Sequence, residues 1–383
     1  LSYDSWDIPQ AMRSSRTLNG MSTHVTSLIQ HFERQAPGVN DWSNLKRPTM
    51  DSRKILSRHL IRGTVAAAIG LMAAAGANAQ ANRVPIDGHL PAGALASSWD
   101  NYYYVCRGTD PACYHDWVGA SSRTNKVLIV TRTTGPRHAA LGNKLGTGKN
   151  PALGATNVAQ NTLIAWLAAA GVAADWTEDV TQISGSYKAW VFLSTSGDML
   201  QKHGTANSTG AVDTATSAYL DAAKVNLRQY MRAGGGFVAI HSAIGTEHNW
   251  PYFEGLLGNT NGYDTAGYQM GAVNVVGSAD SATAGLPAVW TMQDEFTNLL
   301  PYPTNVKFLA TVDESTLANK RTVHPGHGTF HPVAWCQYYD GGRVFATTLG
   351  HDTSAWSPGN DQFRTLVVNG IKSAMGLTPF CAK

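Results

Sequence analysis

Two histidines in this chain close apolar runs that read as β-strands. GGGFVAIHSA (234–243) ends its run on His241, and GRVFATTLGHD (342–352) ends on Gly350-His351-Asp352. In open α/β sheets the residue just past such a strand is where a nucleophile is commonly displayed, on a tight turn. An imidazole there can take or give a proton near neutral pH. His241 and His351 are therefore the first catalytic candidates. The competing reading of each is a hydrogen-bonded core histidine.

Other reactive side chains group around similar boundaries. RTTGPRHAAL (132–141) follows an apolar strand and offers Arg137 and His138, a cation and a proton donor or acceptor suited to gripping a polar substrate. Glu247 and His248 follow His241, and Trp250, Tyr252 and Phe253 come next as an apolar platform. Glu247 either orients an imidazole or caps the helix that begins around Pro251. WTMQDEFTNL (290–299) sets Asp294 beside Glu295. Adjacent carboxylates diverge on helix or strand alike, so one is expected to face the site and the other solvent. HPGHGTFHPVAW (324–335) carries His324, His327 and His331. Its spacing does not match a helical pair of metal-binding histidines, so no metal is assigned, and His331 is retained as a substrate-binding candidate.

The elements that must hold these residues alternate. KVLIVTRTTG (126–135), ADWTEDV (174–180), AWVFLSTSG (189–197) and GFVAIHSA (236–243) read as strands. So do GAVNVVG (271–277), VKFLATVD (306–313), HPVAWCQYYDGG (331–342) and RVFATTLGHD (343–352). Helical spacing with glycine stops marks 155–171 and 217–236, and a last helix covers 360–376. Strands alternating with helices point to an open, mostly parallel sheet with helices on both faces. Active sites in such folds lie at the carboxyl ends of strands, where the polar groups above collect.

The chain has 383 residues, a formal charge of +3 and only 14% charged residues. No basic run lies in the part expected to fold, which argues against a nucleic-acid partner. Neither a dinucleotide glycine fingerprint nor a Walker A lysine is present. Residues 50–79 have a basic start, a short apolar stretch and Ala77-Asn78-Ala79 as a cleavage motif, so a signal peptide cut before Gln80 is expected. That implies a periplasmic or secreted protein with no stable membrane anchor. Residues 1–49 read as an upstream, disordered segment, and 80–121 as an N-terminal extension packed on the main domain of 122–376, with 377–383 as a tail. In an oxidising compartment Cys106 and Cys113, which bracket RGTDPA, are expected to pair. Cys336 reads as a buried small hydrophobe, and Cys381 as either free or tying down the tail.

Together these stretches resemble the ThuA-like, trehalose-utilisation family. The resemblance is carried by TRTTGPRH, by GGGFVAIHSA with Trp250 to Gly258 downstream, by DEFTNL, and by HPVAWCQYYDGGRVFATTLGHD with Phe363 to Ile371. It departs where an aromatic usually precedes the Arg-His pair, and in 259–270, where family members often carry another histidine. The resemblance implies a flavodoxin-like three-layer α/β/α sandwich with a mostly parallel central sheet, related to class I glutamine amidotransferases. With His241 where those relatives have a cysteine, amidotransfer is not expected. A small-molecule carbohydrate is the implied partner, handled by acid/base chemistry of His241, His351, Asp294 and Glu295 without a cofactor. Two alternatives stay open: a non-catalytic sugar-binding protein, and a metal-dependent hydrolase using His241, His351 and a carboxylate. The oligomeric state is not legible.

Overall fold

The computed structural model describes residues 93–117, 122–200, 221–319 and 325–382. The expected signal peptide and the segment before it lie outside the described residues, as does His324.

Five strands form a parallel block. They are β3 (Thr124–Val130), β4 (Ala173–Thr177), β5 (Tyr187–Leu193), β6 (Gly236–Ile240) and β11 (Gly342–Thr347), in the order β4-β3-β5-β6-β11. Their sequences are near-continuous apolar runs because both faces are covered. On one face Val127, Ile129, Val191 and Val238 pack with Leu163 and Leu167 of helix α1 (Val158–Ala169) and with Phe363, Leu366, Val367 and Ile371 of helix α4 (Asp361–Ala374). On the other, Leu128, Trp190, Phe192 and Phe237 pack with Leu227, Tyr230 and Met231 of helix α2 (Asp221–Arg232) and with Phe253 and Leu256 of helix α3 (Pro251–Leu256).

Beyond β11 the sheet changes character. β10 (His331–Tyr339), β9 (Lys307–Val312), β7 (Gly262–Val275) and β8 (Val289–Leu299) continue it, each antiparallel to its neighbour. The sheet is therefore mixed, and the expectation of a mostly parallel sheet is corrected. The cause is local. Among the described residues no long crossover helix lies between these strands, and a parallel connection needs one. The β10–β11 turn is Asp340-Gly341, with φ of 47° and 94°. Positive φ at both positions of a two-residue Asp-Gly turn gives the primed hairpin geometry that joins antiparallel strands.

The N-terminal segment adds β1 (Trp99–Asp100) and β2 (Val105–Gly108), with β2 pairing onto the β10 end at Tyr338 and Tyr339. Two disulfides pin the periphery. Cys106–Cys113 closes the turn after β2, and Cys336–Cys381 ties β10 to the tail after α4. Cys336 is thus a disulfide partner rather than a lone buried hydrophobe, and Cys381 does tie down the tail. Among the described residues no helix is long and apolar enough to cross a membrane.

Candidate functional site

The parallel strands deliver their histidines through three different turns. β6 runs straight into His241, whose φ is +56°. A left-handed backbone is uncommon for a histidine and costs roughly 1–2 kcal/mol, so the surrounding turn must enforce it; such strain tends to mark functional positions. The ring is 3% exposed. Its Nδ1 donates to the Thr348 carbonyl at 2.9 Å, which leaves Nε2 as the lone-pair nitrogen of the neutral ring.

His138 arrives on the loop after β3. That loop is fastened to the end of β5. Thr134 N–H donates to the Ser196 carbonyl at 2.9 Å, and Ser196 Oγ donates to the Pro136 carbonyl at 2.6 Å. The approach requires glycine at 197, since a Cβ there would lie 2.8 Å from the Gly135 nitrogen. Arg137 stitches the loop internally. Its guanidinium donates to the carbonyls of Thr131, Leu141, Gly142 and Asn143 and pairs with Glu178 at 2.7 Å. In this conformation Arg137 positions His138 and does not point its donors at a substrate.

His351 follows β11. The turn before it is held by Asp294, whose buried carboxylate accepts from Gly350 N–H at 2.7 Å and from His351 N–H at 3.1 Å. The next residue on β8, Glu295, places a carboxylate oxygen 3.0 Å from His351 Nδ1. The adjacent carboxylates thus divide their work as their divergence on a strand dictates. Neither lies free in solvent, contrary to the expectation for one of them.

The rings converge. His351 Nδ1 is 3.3 Å from His241 Nε2, and one nitrogen from each of His138, His241 and His351 falls within 4.8 Å of the others. Ring centroids are 4.4 Å apart for His138 and His241, and 5.0 Å for His138 and His351. His138 Nε2 is buried with no protein hydrogen-bond partner. Tyr268 of β7 lies 5.5 Å from the His351 ring, its hydroxyl bonded to Ser354 Oγ. The long β7–β8 hairpin therefore reaches back over the carboxyl ends of the parallel strands.

The electrostatics are asymmetric. Burial, helped by repulsion from the other two imidazoles, holds His241 well below the ordinary histidine range. Burial and then His351 push His138 down to about 4. For His351 burial acts in the same direction, but it is outweighed by the hydrogen bond and charge of Glu295, and the net shift is upward. Glu295 is correspondingly lowered, the His351 contact overcoming its burial. Burial raises Asp294 to about 6 against three backbone N–H donors. The cluster thus holds one proton-rich pair, Glu295 with His351, facing two neutral rings.

The remaining candidates are elsewhere. Glu247 is buried, accepting from Leu200 N–H at 2.6 Å and pairing with Lys224 at 3.0 Å. His248 is exposed on the same turn. Trp250 stacks on Tyr252 at 5.3 Å beneath the Lys224 ammonium. His331 is fully buried, with Nδ1 2.6 Å from Glu314 and Nε2 2.9 Å from the Thr297 carbonyl. Sequence reasoning missed Tyr268, Ser354 and the Thr348 carbonyl. Tyr268 was open to discovery, since it lies in the stretch where the resemblance puts an extra histidine.

The family model ThuA, trehalose utilisation, matches residues 126–374, which holds every strand-end histidine just described. The chain belongs to the ThuA family. Among solved structures it is similar to a ThuA-like protein of Bacteroides uniformis ATCC 8492, with 17% identity, 68% of this chain and 95% of that one covered, and a TM-score of 0.46. A ThuA-like protein of Parabacteroides merdae ATCC 43184 matches at 17% identity over 67% and 92%, with a TM-score of 0.45. The β-galactosidase of Rahnella sp. R3 matches at 16% identity over 67% of this chain and 32% of that one, with a TM-score of 0.40. A comparison with curated protein sequences gave no match. Membership of ThuA links the chain to carbohydrate metabolism.

Proposed function

We propose that this ThuA-family protein acts on a sugar or keto-glycoside by proton transfer at the cluster of His138, His241, His351 and Glu295. One observation carries the reading: His138 Nε2 is buried without a protein partner beside two further imidazoles and a carboxylate. An unsatisfied buried nitrogen costs about 1–3 kcal/mol, and a ligand atom in the cluster would recover it. Glu295 and His351 share the mobile proton, and the neutral His241 presents Nε2 as its acceptor. Asp294 and Arg137 position the two histidine loops. Tyr268 offers a ring against which a pyranose can pack. The parallel block, clad by helices on both faces, corresponds in this reading to the flavodoxin-like three-layer unit.

Amidotransfer is not part of the proposal, because all four cysteines are in disulfides and no thiolate is available. The same disulfides support export to an oxidising compartment. The test is a thermal-shift screen with disaccharides and their 3-keto forms, followed by turnover of whichever binds. His351→Ala and Glu295→Gln should each lower turnover by about a hundredfold or more. Wild-type turnover in both variants would sink the reading. Saturable binding with no product would make the chain a sugar-binding protein instead.

A further inference from the structure

We propose that His138, His241 and His351 together hold a divalent transition-metal ion of the zinc class. The inference rests on the sugar reading only for what the ion would act upon; with the ion bound, His241 Nε2 and His351 Nδ1 serve as ligands and the proton-moving role stays with Glu295.

The first argument is distance. Zinc–imidazole bonds of about 2.0–2.1 Å in a tetrahedron put neighbouring nitrogens roughly 3.3–3.4 Å apart. His241 Nε2 and His351 Nδ1 are 3.3 Å apart. The third nitrogen lies within 4.8 Å of both, so at most roughly 1.4 Å of closing separates it from a tetrahedral edge. His138 is on a loop and only partly buried, and a ring rotation covers such a distance.

The second argument is the supply of lone pairs. His241 gives its Nδ1 hydrogen to the Thr348 carbonyl. Its Nε2 is therefore an acceptor, fixed in direction as metal-ligating histidines are by a carbonyl behind them. Glu295, another acceptor, lies 3.0 Å from the same His351 Nδ1 that faces His241. One hydrogen on that nitrogen cannot satisfy both. His138 Nε2 adds a buried nitrogen with no partner at all. Acceptors outnumber hydrogens at this point, and a cation with a preference for nitrogen resolves the excess. Three imidazoles suit zinc, cobalt, nickel, iron or copper, whereas magnesium and calcium take oxygen ligands.

The third argument is what remains. Three protein ligands leave a coordination position open, the pattern of catalytic rather than structural zinc. Once His351 Nδ1 turns to the ion, Glu295 is freed beside it as the carboxylate that moves a proton.

The test uses the full chain, stripped with chelator and titrated with Zn(II) by calorimetry, with metal content measured after gel filtration. Close to one zinc per chain is expected. His138→Gln and His241→Ala should each bind at least about tenfold more weakly, and His248→Ala should bind as wild type does. If His241→Ala loses its circular-dichroism signature, His138→Gln decides alone, because its loop is held by Arg137 rather than by the imidazole. Co(II) should give the intense visible band of a four-coordinate site in wild type and a weakened band in His138→Gln. Failure of wild type to retain zinc, or wild-type zinc affinity in His138→Gln, overturns the inference. The sugar thermal shift is measured in parallel on the stripped and on the zinc-loaded protein. A shift that persists without zinc retention rejects the ion and leaves the sugar reading standing. Zinc binding with no shift for any sugar does the reverse.

Discussion

Among the described residues two clusters of histidines are built on opposite plans. At the carboxyl ends of the parallel strands, His138, His241 and His351 turn nitrogens toward one another, and His138 Nε2 is buried without a partner. In the antiparallel part, His331 has both nitrogens engaged, by Glu314 at 2.6 Å and by the Thr297 carbonyl at 2.9 Å. Beside it His327 Nε2 accepts from Leu299 N–H at 2.9 Å. The second cluster fastens the start of β10 and the loop before it to β8 and to the turn after β9. Residue type does not separate the two clusters, and neither does burial. What separates them is whether the protein itself uses up the nitrogens.

The comparison is sharpened most by deleting the closed cluster. His331→Ala removes a fully buried ring and takes one hydrogen-bond partner each from Glu314 and from the Thr297 carbonyl. Chemical denaturation should show a loss of about 2–4 kcal/mol with sugar and zinc binding intact in the folded fraction. His138→Gln should cost less than about 1 kcal/mol while it weakens binding. Equal stability losses in the two variants would erase the distinction.

A smaller effect lies in the acid limb. Burial acts to raise Glu314, but the His331 hydrogen bond and the N–H groups of His327 and Gly328 outweigh it and hold the carboxyl down at about 2. A depressed folded value means stability that is present above the unfolded value of 4.5 and is lost as pH falls toward about 2. Glu314→Gln should therefore flatten the dependence of unfolding free energy on pH in that window. An unchanged slope would show that the closed cluster does not draw its stability from this pair.

How much of this was legible in the sequence follows the same division. The apolar runs of β3, β5, β6 and β11 announce buried strands, and a histidine at the end of such a run is visible by position alone. The glycine stops placed the helices, and Val158–Ala169 and Asp361–Ala374 fall within the expected spans. The antiparallel part was harder. Gly262–Val275 begins with GYDTAGYQM, which is polar and glycine-rich, so its first half reads as loop. Without that half the β7–β8 hairpin is invisible, and with it the route by which Glu295 reaches His351. The Asp340-Gly341 turn was a hairpin signal that outweighs an alternating-element pattern. Cys336 and Cys381 pair across a sequence separation of 45, and spacing alone carries no information about such a bond. The Thr348 carbonyl that fixes the His241 tautomer is a backbone group and has no signature in residue type.

The central claim is that the strand-end imidazoles take a ligand and those of the antiparallel part do not. It is tested most directly by long-range ¹⁵N spectra of the histidine rings, before and after Zn(II) and then a 3-keto disaccharide are added. The account predicts large ring-nitrogen shifts at His138, His241 and His351, with His327 and His331 unmoved. Zinc or sugar binding that shifts His331 and spares His138 and His241 would contradict it.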